Sequence, residues 1–429
     1  VKQGAHFVGC DGGSTDSGPY YLGSGNPRGP RQGVKRNLGL ILREALRAGI
    51  PAIIGTAGHA GGRPHLQWAV EIVRELAREN AWHFKLAAID SEIDPETLVD
   101  AFRKDRIKPL SPAPPFNEEV IRQGQRFVGM MGIEPIQSAL ASGAHMVIAG
   151  RCSDVAIYAA LPVMQGIPKH VAFHAGKILE CGAASVSQRL YADCMAAELD
   201  ENGFTVEPPN PELRCTPQSV AAHTLYENAD PYMLVEPGGR LDTTAATYEA
   251  VSDRAVRVEG GQFVPAKYTV RIEGAALAGY RSIVIAGIRD PLILGQLDHF
   301  LSSLHSAVER KIADHLSPPP GTYTLNFRVY GRDGTLGPLE PNPKLDGHEI
   351  GLIIDVVASS QELASDILPL VWHSGLHHPI SEYHGLISNF AFPFSPPGVD
   401  VGAVYRFCAN HVWELDDPCA PFRTTWETF

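Results

Sequence analysis

An α/β protein in two parts is what the sequence predicts, and three observations carry the expectation. Short apolar runs alternate with helical periodicity through the first half of the chain. Period-2 runs take over beyond about residue 260. The 42 glycines and 34 prolines among 429 residues require many shaped loops between elements.

The runs AHFVGC (5–10), PAIIG (51–55), FKLAAI (84–89) and HMVIA (145–149) have the length and apolar content of strands buried on both faces. Between them, 34–48 places Leu38, Leu42, Ala45 and Leu46 on one helical face. The stretches 65–80, 95–104 and 117–142, the last broken near Gly129 and Gly132, also read as helices. This alternation argues for a Rossmann-like three-layer α/β/α unit over residues 1–200 with a mostly parallel sheet. Residues 201–260, with PPNPELRCTP (208–217) and VEPGGRLDTTA (235–245), read as a linker or insertion holding one helix near 217–228. Strands at 267–273, 282–286, 322–330 and 350–357, with helices at about 290–314 and 360–372, predict an α+β domain over 261–429 of ferredoxin-like order.

A net charge of −12 opposes a nucleic-acid groove or an anionic membrane surface, so a small-molecule partner is expected. Seven cysteines without a CxxC pair fit reduced thiols, hence a cytoplasmic protein without structural disulfides. No signal peptide or membrane span is indicated, and the start at Val1 rather than Met raises the expectation of residues upstream.

In a parallel sheet, ligands bind beyond the carboxyl ends of the strands. The loop after the first strand carries Asp11, Gly12, Gly13, Ser14, Thr15 and Asp16. The loop after the second carries Gly58, His59, Gly61, Gly62 and Arg63, and that after the fourth carries Arg151 and Asp154. Glycines there either shape tight turns or let backbone N–H groups cradle an anion at the start of the helix from His65. Neither a Walker A motif nor GxGxxG is present in register. DGGSTD (11–16) resembles the phosphate loop of sugar kinases over six residues only, and a helix follows where that fold requires a β-hairpin. Asp11, Asp16 and His59 are the candidates for proton transfer, while Arg63 and Arg151 suit a substrate carboxylate. A competing reading pairs Arg151 with Asp154 at a helix start.

Two further clusters follow. His170 and His174 would share a helical face and could hold a divalent metal, but HVAFHAG (170–176) alternates like a strand, which separates them. Cys181, beside Glu180 and Gly182, is a nucleophile if His174 lowers its pKa and an inert thiol otherwise. WHSGLHHPISEYHG (372–385) gathers His373, His377, His378 and His384 with Glu382 and Tyr383 on a loop that could act as a lid supplying His378 to the substrate.

GRCSDVAIYAALPV (150–163), HAGKILECGA (174–183), TPQSVAAHTLYENADPYML (216–234), ISNFAFPFSPP (387–397) and VYRFCANHV (404–412) together resemble the acyclic terpene utilisation AtuA-like family. The resemblance implies a cytosolic protein of carbon catabolism, from an operon of citronellol and geraniol degradation whose intermediates are acyl-CoA esters. It places Arg151, Asp154, Glu180, Cys181 and Gly182 in the family's recognisable motifs. The stretch 11–25 departs from the terpene-operon members, which leaves room for another small carboxylic acid.

The expectation is therefore a homo-oligomeric enzyme, a lyase, hydratase or isomerase. It acts on a small carboxylate or its acyl-CoA thioester by proton abstraction and return, with Asp11, Asp16, His59, Asp154 and Cys181 as catalytic candidates. A hydrolase using Cys181 or Ser153, and a non-catalytic binding or assembly scaffold, are the alternatives.

Overall fold

A computed structural model describes residues 4–189, 193–381 and 388–429. It divides the chain into two compact units, Val1–Ala276 with Arg406–Phe429, and Leu277–Tyr405. Among the described residues no helix is long and apolar enough to cross a membrane, and all seven cysteines are free.

The first unit opens with β1 (Val8–Asp11), α1 (Tyr20–Ser24), α2 (Arg31–Ala48), β2 (Ala52–Gly55), α3 (Arg63–Asn80), β3 (Lys85–Asp90) and α4 (Pro95–Arg103). It continues with β4 (Ile107–Pro109), α5 (Glu118–Gln123), β5 (Arg126–Met130), α6 (Ile133–Ala141), β6 (Met146–Ala149), α7 (Asp154–Met164) and α8 (Lys169–Leu179). Strands β1, β2, β6 and β3 pair in that order, all parallel. Their alternating side chains feed two cores. Ala52, Ile54, Leu86, Ala88, Met146 and Ile148 pack with Leu38, Leu42, Leu66 and Val73 of α2 and α3. Ile53, Ala87, Ile89, Val147 and Ala149 pack with Leu98, Ile136 and Ala156 of α4, α6 and α7. Burial on both faces is why these strands read as continuous apolar runs.

Two segments differ from the sequence reading. Residues 117–142 are not one interrupted helix, because β5 pairs antiparallel with residues 271–275 and buries Phe127 and Val128. Residues 169–179 are helix rather than strand. Val171, Ala175 and Ile178 face one core and Ala172 and Phe173 another, so the helix is buried nearly all round, polar His174 and Lys177 included, and its 3.6 period is masked.

The stretch expected as a linker is built from short strands around one helix: β7 (Ala196–Leu199), β8 (Gly203–Glu207), α9 (Pro217–Thr224), β9 (Met233–Glu236), β10 (Gly239–Asp242), β11 (Thr247–Ala250), β12 (Val256–Glu259) and β13 (Gln262–Pro265). They form the sheets β11-β12-β8-β7 and β13-β10-β9. Strands this short, with charged outward faces such as RLD and VRVE, present too few apolar positions for periodicity to register. The first unit continues through this stretch to Ala276 and takes in Arg406–Phe429.

The two predicted strands at 267–273 and 282–286 are one, β14 (Thr269–Ile288). Gly279 sits within it at φ +143, where a Cβ would lie 2.5 Å from the Ala358 carbonyl oxygen. The chain goes on with α10 (Pro291–Gly295), α11 (Leu297–His315), β15 (Tyr323–Tyr330), β16 (Ile350–Ala358), α12 (Gln361–Leu376), β17 (Gly398–Glu414) and β18 (Arg423–Thr428). In the second unit β16 lies between β14 and β15, antiparallel to both, and its inward residues pack on Phe300, Leu304 and Val308 of α11 and on Ile367 and Val371 of α12. In the first unit β18 pairs antiparallel with β3.

Candidate active site

The parallel register brings the loops after β1, β2 and β6 to one end of the sheet. Asp11 stands opposite Gly55, and the N–H groups of Thr56 and Ala57 donate to the carbonyls of Gly150 and Ala149 at 3.0 Å each. Glycine is needed because backbone meets backbone. A Cβ on Gly13 (φ +155) would lie 2.2 Å from His59 Cα, and one on Gly61 (φ +69) 2.3 Å from the Arg151 nitrogen. Gly12 and Gly58 similarly abut the Gly55 and His65 backbone, and Gly62 abuts the Arg126 side chain.

The expected anion cradle at the start of α3 is filled by the protein itself. The Arg63 N–H donates to Glu92 Oε2 at 2.8 Å, and Arg126 holds the same oxygen at 2.9 Å. The Arg63 guanidinium is engaged by Asp90 at 2.7 Å, with Asp94 at 3.7 Å, so the clamp expected of it is already closed. Arg151 is likewise committed. It is buried and paired through Nε and Nη2 to Glu273 at 2.9 and 3.3 Å, rather than to Asp154. Burial works to raise Glu273, and the facing guanidinium, with a hydrogen bond from Thr15, holds it below its ordinary range.

Around this pair stand carboxyl groups that outnumber the cations. Burial pushes Asp11 up to about 6, against the Gly13 N–H at 3.2 Å and the Arg151 charge. Burial and then the Asp11 charge push Asp154, in the first turn of α7, up to about 8. Burial also lifts Glu236, at the end of β9, to about 7, opposed by a hydrogen bond from Ser153. Asp154 Oδ1 and Glu236 Oε2 are buried without a hydrogen-bond partner among the described residues. Glu180 is buried against Lys177 Nζ at 2.5 Å, and its carbonyl meets His223 Nε2 at 2.9 Å.

His59 is buried at φ +96, a strained conformation of the kind that clusters at functional sites. Burial lowers its pKa, as do Arg28 and Arg151, while Asp16 opposes them, so it is neutral at pH 7. Its Nε2 hydrogen-bonds Ser17 Oγ. Asp16 is exposed, and its N–H donates to Ser14 Oγ at 3.3 Å. Cys181 sits at φ +48, with burial and then Glu180 pushing its thiol up to about 11. His174, expected to activate it, is itself buried, lowered to about 3, and bound through Nε2 to Thr224 at 3.1 Å. Among the described residues no group of three or more His, Cys, Asp or Glu is placed to hold a metal ion.

His378 belongs to the second unit, where its Nε2 hydrogen-bonds Ser303 at 2.7 Å. Glu382, Tyr383 and His384 lie outside the described residues. An open groove of about 720 Å³ in that unit, lined by residues including Glu309, Pro318, Tyr323 and Leu325, gathers no acid–base pair.

Sequence reasoning missed Glu236, Glu273 and Lys177. The available signal was a carboxylate at an inward position of an apolar strand, as in VRIEGAA (270–276).

Residues 28–386 match the family described as Acyclic terpene utilisation family protein AtuA. The match holds His59, Arg151, Asp154, Glu180, Glu236 and Glu273. It begins after Asp11 and Ser17 and ends before the 387–397 and 404–412 strings. No curated protein and no solved structure matches the chain.

Proposed function

The chain belongs to the acyclic terpene utilisation AtuA family, and from that premise we propose that it is an enzyme moving a proton on a small carboxylic acid or its acyl-CoA thioester. Membership implies a role in acyclic terpene utilisation. The observation that carries the reading is the pair Asp11 and Asp154, two half-buried carboxyls whose surroundings push them to about 6 and about 8. At pH 7 the first is a carboxylate, able to take a proton from carbon, and the second is a neutral acid, able to give one. Arg151, fixed by Glu273, supplies positive potential for a developing enolate without touching the substrate carboxylate.

The test is deuterium incorporation at the α-carbon of short acids and acyl-CoA thioesters in D2O, followed by mass spectrometry. Incorporation is expected with limbs near pH 6 and pH 8, and with losses of at least about 100-fold in Asp11→Asn and Asp154→Asn. Undiminished incorporation in both variants refutes the assignment. The same reading carries a Rossmann-like first unit, supported by the parallel order β1-β2-β6-β3, and a ferredoxin-like second unit, supported by its strand–helix–strand–strand–helix–strand sequence. A cytoplasmic homo-oligomer completes it.

A second reading rests on Ser17 and His59, a hydroxyl bonded to a neutral imidazole, which is the arrangement of a nucleophile and its base. It replaces Cys181, whose thiol is held protonated, and Ser153, whose hydroxyl is given to Glu236. Fluorophosphonate labelling of Ser17 that disappears in His59→Gln would favour this hydrolase over the proton-transfer enzyme.

A further inference from the structure

The acid–base reading leaves two oxygens unexplained. Glu236 is 6% exposed, with the Ser153 hydroxyl acting on its carboxyl group, yet Oε2 has no partner among the described residues. The residue after Ser153 is Asp154, whose Oδ1 is equally buried and unpartnered. Ser153, which acts on Glu236, directly precedes Asp154 at the start of α7, and the Glu236 charge also acts on Asp154. Orphaned buried carboxyl oxygens cost about 1–3 kcal/mol each, so each calls for a partner.

We infer that Asp154 and Glu236 form a recognition site for a hydroxyl group on the substrate. A hydroxyl both accepts and donates, and the two carboxyls offer the complement. The protonated Asp154 donates to the hydroxyl oxygen, and Glu236 Oε2 accepts the hydroxyl hydrogen. The substrate class is then a hydroxy acid or a hydroxyacyl thioester, with the hydroxyl one carbon beyond the acidic C–H. The reaction is reversible dehydration. Asp11 removes the α-proton, the electron pair of that C–H bond forms the new carbon–carbon double bond, and the C–O bond breaks. Asp154 passes its proton to the departing oxygen, so the products are the unsaturated acyl group and water. Asp11 is left protonated and Asp154 ionised, and transfer of one proton from Asp11 to Asp154 through solvent resets the pair. Glu236 is a binding residue in this scheme, and Ser153 is its positioning residue.

This inference rests on the acid–base reading of Asp11 and Asp154, and the experiment separates the two. Binding of 3-hydroxybutyryl-CoA and butyryl-CoA, and of the free acids 3-hydroxybutyrate and butyrate, is measured by calorimetry and thermal shift, with deuterium uptake followed in D2O. The hydroxylated member of a pair is expected to bind at least about tenfold more tightly, because its analogue leaves both carboxyls unpaired. Glu236→Gln should bring the ratio towards one with the melting transition retained. Should that variant fail to fold, Ser153→Ala, which frees Glu236 to turn, should reduce the ratio while Asp154 keeps its pH limb. Equal binding of both members, with deuterium entering both, overturns the hydroxyl site and leaves the acid–base pair standing. Discrimination unchanged in Glu236→Gln also overturns it. Absence of both binding and exchange for every probe overturns both readings.

Discussion

Replacing Asp154 by Asn tests the electrostatics of the first unit without reference to any substrate. The side chain is half-buried under the influence of the Asp11 charge, and its carboxyl is raised from 3.8 to about 8, so the native state holds a proton that the unfolded chain releases. A raised carboxyl contributes stability that is complete below the unfolded pKa and lost as pH rises through the folded value. His59, His65 and His174 act in the opposite sense. Their folded values are lowered, to about 4 for His65 and about 3 for His174, so their contribution is present above the unfolded value of 6.5 and lost as pH falls. Between pH 6.5 and 8 the unfolded-state histidines give up their remaining protons, which adds stability, while the carboxyls lose their contribution. Over that window linkage assigns Asp154 a loss of about 1–2 kcal/mol and Glu236 about 1 kcal/mol, with Asp11 already largely ionised. Asn imitates the neutral acid and the histidine contribution is common to both proteins, so Asp154→Asn should match the wild type near pH 6.5 and be the more stable by about 1–2 kcal/mol at pH 8. Urea unfolding monitored by tryptophan fluorescence measures this. A Trp372→Phe background leaves Trp68, Trp82, Trp413 and Trp426, all in the first unit, as reporters. Identical slopes in wild type and variant would show that Asp154 is ionised in the folded protein, and the acid–base assignment would fall with it.

Three further outcomes are expected. Glu273→Gln strands the Arg151 guanidinium in a buried site and should cost about 3–5 kcal/mol, while Arg151→Met combined with Glu273→Leu should recover much of the loss; equilibrium denaturation of the single and double variants decides this. Gly13→Ala places a Cβ 2.2 Å from His59 Cα, whereas Gly18→Ala, also at positive φ, meets nothing within 4 Å. The melting temperature should fall clearly further for Gly13→Ala than for Gly18→Ala, which carries only backbone strain of about 1–2 kcal/mol. Cys181, exposed but with its thiol pushed up to about 11, should react with iodoacetamide at pH 7.5 about two orders of magnitude more slowly than free cysteine, rising about tenfold per pH unit in site-resolved mass spectrometry. Fast alkylation at neutral pH would return Cys181 to the nucleophile candidates.

By itself, the sequence determined whatever depends on neighbours along the chain. Strands β1, β2, β3 and β6, helices α2 and α3, and the convergence of Asp11, His59, Arg151 and Asp154 beyond the strand ends follow from local periodicity and from the rule that parallel strands discharge their loops at one edge. Segments enclosed on every side were harder to read. Helix α8 is apolar towards two cores and so resembles a strand, and β5 is fixed by pairing with residues some 145 positions further on. The chemistry of the site was decided by folding alone. Glu273 takes Arg151 away from Asp154 across 122 residues, and Glu236 reaches Ser153 from β9. Whether a carboxyl is an acid or a base depends on how much water and how many charges surround it, and those are properties of the assembled interior that residue order cannot express.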